Sequence, residues 1–246
     1  MLEGEKMRKP TFKQRTKEFL ENKEKYKIEH QMIEYTLLAF VLLILIEVVA
    51  FYGLFGNDSN FLVRYGWWFF YGTISVVSIG AAMWHLRAYR TEVTCMVGMM
   101  IGMTIGMQSG MMIGAVLGAT NGMFTGALVG MLFASVVGWY TGRCCGIMGI
   151  MEGIMSGIMG GTMGAMIAVM MLGDNLLWFM PPYMILNLIV MLGLSYMLYE
   201  EVIEDNEKVE VKPMEFSGFF SYCFIAMFLL GLIMLYGPKS ALVAFG

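Results

Sequence analysis

Two rows of sulfur are the residues here whose type and spacing could do chemistry. Met99, Met103, Met107 and Met111 recur every four residues, and so do Met151, Met155, Met159 and Met163. Side chains four apart are neighbours on a helix, so each series would form a thioether column. Thioethers are soft ligands that suit Cu(I) and bind hard ions poorly. A ladder of weak, similar sites is what conduction needs, since each binds enough to enter and little enough to leave. Of the chain's 28 methionines, 17 lie between Met96 and Met171. The plainer role is packing, because flexible methionine fills the gaps left beside rows of glycine.

Cys95, the vicinal pair Cys144-Cys145, and Cys223 each stand where an apolar run begins. Reducing surroundings would keep them as thiols. Arg143 and a helix start at the vicinal pair would favour thiolate, raising both nucleophilicity and metal affinity. A soft cation such as Cu(I) could then enter at Cys95, Cys144 and Cys145 and continue along the methionines. The alternative is that the cysteines are small buried hydrophobes.

Glu152 sits between Met151 and Met155 and would complete such a path. Glu47 lies deep in the first apolar run. A carboxylate at membrane depth normally faces protein or water. Gln108, Ser109 and Ser156 add polar groups to the same region, as path or as hydrogen bonds that fix helix register. Asn187 reads as structural glue between helices.

The elements that would position these groups are membrane helices. Apolar runs cover about residues 35–55, 66–88, 93–118, 122–141, 146–172, 178–199 and 219–236, each near the length needed to cross ~30 Å of hydrocarbon. The expected fold is an all-α polytopic membrane protein of about seven spans. Its third to fifth spans carry a glycine ladder at 98, 102, 106, 110, 114, 118, 122, 126 and 130. Ala134 substitutes once before 138, 142 and 146; a second series runs through Gly149, Gly153, Gly157 and Gly161. This small-xxx-small spacing signals close backbone approach, a glycine-zipper core. A four-residue step advances about 40° beyond a full turn, so the ladder winds round the helix and each of these spans can touch two neighbours.

Residues 1–33 form a charged arm with nine Lys/Arg and six Glu, in which Phe12, Phe19, Tyr26 and Ile33 keep heptad spacing. It reads as an amphipathic cytosolic or interfacial helix, or as a solvated lead into the first span. Spans one to six with the Gly/Met-rich core at 93–172 occupy 34–199; an acidic loop at 200–217 and a last span with a short tail at 218–246 follow. Basic residues fall on alternate flanks: the N-terminal arm, Arg87 and Arg90, Arg143, then Lys208 and Lys212. That pattern places the N-terminus in the cytosol and the C-terminus outside.

Charge is only 14% of residues, against 58% apolar, with mean hydropathy +0.68 and net charge −3. Such a chain is no nucleic-acid binder. Two histidines, His30 and His85, are too few for most His-built metal or haem centres. No P-loop, GxSxG, HExxH or dinucleotide fingerprint occurs, and no acid–base set surrounds the cysteines, so no enzyme is expected. The leading expectation is membrane handling of a soft cation, by transport, conduction or binding. The alternative is a glycine-zipper scaffold or accessory subunit of a homo-oligomer or larger membrane complex.

Overall fold

The computed structural model describes residues 27–55, 61–88, 95–202 and 215–241; most of the charged arm and of the acidic loop lies outside them. Every regular element among the described residues is helical. Seven are long: α1 (Lys27–Ala50), α2 (Phe61–Ala88), α3 (Cys95–Asn121), α4 (Met123–Gly142), α5 (Gly146–Met170), α6 (Leu176–Val202) and α7 (Phe216–Tyr236). Six stretches are long and apolar enough to cross a membrane. One of these, Met123–Gly173, runs for 51 residues and holds both α4 and α5. A helix suits such a sequence because it pairs its own backbone amides where no water can.

The connections are short. Helix α3 runs through Ala119, Thr120 and Asn121, past residue 118 where its apolar run is expected to end. The chain reverses instead at Gly122, whose φ of 104° suits a residue without a side chain. A 3₁₀ turn, Arg143–Cys145, joins α4 to α5 and ends on Gly146.

Helices α3, α4 and α5 pack backbone against backbone. In the antiparallel α4–α5 pair, Gly142 faces Gly149, Gly138 faces Gly153, Ala134 faces Gly157 and Gly130 faces Gly161. Helix α3 runs alongside α5 with Gly106 at Gly153 and Gly118 at Ala165, and against α4 with Gly102 at Gly142. A methyl group on Gly110 would stand 2.7 Å from the Gly160 carbonyl carbon, and one on Gly130 would stand 2.9 Å from Gly114 Cα. Nothing but hydrogen fits. Lipid offers little hydrophobic drive between helices, so dispersion and weak Cα–H···O contacts over these smooth grooves hold the trio.

The other flank of α3 buries Ile101, Ile105, Met112, Ile113 and Leu117 completely and meets α2, α6 and α7. Helix α1 lies on α2. Among the described residues, helices α4 and α5 pack chiefly on α3, each other and the adjoining turns. At one end, the last turn of α7 and the segment after it strap the α3–α4 turn: Asn121 Nδ2 donates to the Ile233 carbonyl at 2.9 Å, Ser240 N donates to the Asn121 carbonyl at 2.8 Å, and Thr125 Oγ1 donates to the Pro238 carbonyl at 2.9 Å.

Candidate functional site

The methionine columns take two different positions. Met151, Met155, Met159 and Met163 all point outward from α5, Met155 with 64% of its surface exposed. On α3, Met103 is exposed, whereas Met99, Met107 and Met111 are half-buried. Spacing from the glycines explains this. Each α5 methionine lies two residues past a ladder glycine, about 200° round the helix and so opposite the packed groove. Each α3 methionine lies one residue past a glycine, about 100° round, on the flank. Sulfurs from the two columns therefore do not meet between α3 and α5, where glycine backbones already touch. Glu152 is exposed beside the outward column, and Ser156 is buried with its hydroxyl donating to the Gly153 carbonyl at 2.9 Å.

The interior sulfurs are others. Met112, Met180, Met184, Met191, Met227 and Met234 are all buried. Ser75 Oγ stands 3.9 Å from Met184 Sδ, and Ser78 Oγ stands 3.8 Å from Met112 Sδ. Apart from Met180 and Met184 these positions lack a four-residue rhythm, so periodicity did not single them out. Their helices pack through mixed apolar faces.

The cysteines divide. Cys223 is buried in α7 against α2, with its Sγ 2.9 Å from where a methyl group on Gly80 would stand, and so packs as a small hydrophobe. Cys95, Cys144 and Cys145 do come together at the start of α3 and the α4–α5 turn. Cys145 Sγ donates to the Cys95 carbonyl at 2.8 Å, and Cys144 Sγ donates to the Thr141 carbonyl at 3.3 Å. Gly98 makes the space: a methyl group there would lie against Cys145 Sγ and 3.0 Å from Cys144 Sγ. The thiols of this turn shift opposite to expectation. Burial, with the hydrogen bond to Cys95 and the neighbouring thiols adding to it, pushes Cys145 up to about 11; burial also raises Cys144. The Arg143 guanidinium lies 5.0 Å over the Trp139 ring. Among the described residues, no group of three or more His, Cys, Asp or Glu is arranged to hold a metal ion.

Polar groups at depth serve packing. Thr73 donates to the Glu47 carboxylate, joining α2 to α1. Asn187 donates to the Tyr183 carbonyl at 2.7 Å, and Tyr183 reaches the Met111 carbonyl of α3 at 3.3 Å. Gln108 keeps a buried side-chain oxygen with no hydrogen-bond partner among the described residues. The gap among α2, α3 and α7, near Gly72, Ser75 and Met234, is too narrow for water. No family model matches the chain, and no curated protein or solved structure matches it either.

Proposed function

We propose that the chain is a non-catalytic membrane scaffold of seven crossings, with its N-terminus in the cytosol and its C-terminus outside. In this reading the α3–α4–α5 glycine zipper is a rigid body that assembles in the bilayer with copies of itself or with a larger membrane complex. The observation that carries it is the contact of three glycine ladders, backbone on backbone, which fills with main chain the space where a cation path would run. Orientation rests on the alternation of Lys/Arg between flanks. Native mass measurement in mild detergent tests the proposal. A homo-oligomer or a co-purifying membrane partner supports it, and a persistent monomer with no partner overturns it.

A second reading, binding of a soft cation such as Cu(I), is favoured by one observation: Cys95, Cys144 and Cys145 gather at one end of the trio. Thiols are soft ligands for such an ion. Half-buried Met99, one turn into α3, lies on the same helix as Cys95. Titration of the purified protein with Ag(I) discriminates. Binding lost in a Cys144→Ser, Cys145→Ser variant supports a thiol site. Equal binding by wild type and variant removes it.

A further inference from the structure

We infer that the outward face of the α4–α5 hairpin binds a second copy of this chain, with Arg143 of each copy opposite Glu152 of the other. The inference rests on the scaffold reading and names its contact surface. Among the described residues, helices α4 and α5 pack chiefly within the trio and on the adjoining turns, apart from the Thr125–Pro238 bond at one end, and Leu132, Val136, Met151, Met155 and Met159 face away from the protein. Lipid alone would suit those side chains. It does not suit Glu152, which is exposed on the same helix about 9 Å beyond Gly146 at 1.5 Å per residue. Carboxylates inside a span face protein or water rather than acyl chains.

Charge complementarity selects the occupant. Arg143 is exposed at the same end of the same hairpin, lying over the Trp139 ring. Among the described residues, neither Arg143 nor Glu152 has an ion-pair partner within its own chain. A two-fold pairing satisfies both at once, because residue i then meets j while j meets i. Both reciprocal pairs would lie at the Arg143 end of the hairpin, beside the α5 methionines, whose flexible side chains mould to a facing copy.

The test uses the full chain, purified in mild detergent and in lipid nanodiscs, with mass and association constant measured. Wild type is expected at twice 27.6 kDa. Arg143→Glu and Glu152→Arg should each weaken association at least tenfold, as should the smaller change Glu152→Gln. The double reversal, Arg143→Glu with Glu152→Arg, should restore it. Helicity and melting temperature, recorded for every variant, separate a lost contact from a lost fold. Single reversals that pair as well as wild type, or a folded double reversal that stays apart, overturn the interface while leaving the scaffold reading standing. A complex with a different protein does the same. A wild-type monomer without partners overturns both.

Discussion

Gly138 and Gly153 face each other so closely that neither has room for a side chain. A methyl group on Gly138 would stand 2.5 Å from the Gly153 carbonyl carbon, and one on Gly153 would stand 2.6 Å from that of Gly138. The obstacle on each side is main chain, which cannot swing aside as a side chain can. Gly138→Ala and Gly153→Ala should therefore each destabilise the protein by about 1–3 kcal/mol or more, the range for overpacked interiors. Gly193 in α6 has nothing within 4 Å of a would-be methyl group. Gly193→Ala should be neutral or stabilising by up to about 1 kcal/mol, since it removes glycine's flexibility from a helix. Thermal unfolding in detergent, followed by circular dichroism, checks all three. Equal effects at positions 138 and 193 would refute close packing of the trio.

Helix positions could be read from apolar runs because length alone limits what crosses a bilayer. The ladder was equally legible as a packing surface. Its partners were not: nothing in a four-residue repeat says that Gly138 meets Gly153 instead of another glycine of the series. The outward placement of Met155 was available in the sequence as its offset from Gly153, two residues or about 200°. The methionine spacing by itself carries no such angle; only the offset from the glycines does. The gathering of Cys95 with Cys145 needed the parallel run of α3 and α5, which no local pattern states. The link between Thr73 and Glu47 likewise depends on how α1 and α2 are turned towards each other.

Cys145 should be a slow nucleophile. Its thiol is pushed up to about 11, from an ordinary value of 9.0, chiefly by burial. The thiolate reacts and the thiol does not, so two units mean about a hundredfold less reactive species at pH 7–8. Alkylation of Cys145 by iodoacetamide, resolved by peptide mass spectrometry, should rise about tenfold per pH unit up to pH 10 without levelling. A plateau near pH 7 would mean that Arg143 or the helix start lowers the thiol after all.

The strap after α7 should depend on Asn121. Its side-chain amide donates to the Ile233 carbonyl, and its own carbonyl accepts from Ser240 N. Asn121→Ala removes the first bond and leaves the Ile233 carbonyl without that donor, at a cost of about 1 kcal/mol. Loosening should be local. Hydrogen exchange should speed up at Ser240 while amides in the middle of α4 and α5 keep their protection. Unchanged exchange at Ser240 would show that Thr125 and the backbone bond hold the strap without the Asn121 side chain.

Thr73 and Glu47 allow a test in which the two partners are unequal. Thr73 is wholly buried and donates to the Glu47 carboxylate between α2 and α1. Thr73→Val keeps the shape and deletes the donor, so the carboxylate loses its partner in a low-dielectric setting. The loss should be about 0.6–1.7 kcal/mol, from the average to the largest value found for hydrogen bonds between membrane helices. Glu47→Gln keeps an oxygen for the same hydroxyl and should have a smaller effect. Combining Thr73→Val with Glu47→Leu removes the whole pair, so the double variant should be less destabilised than the sum of its singles. Unfolding of the four proteins in detergent gives the coupling. Strict additivity would mean that the two helices are not joined through this bond.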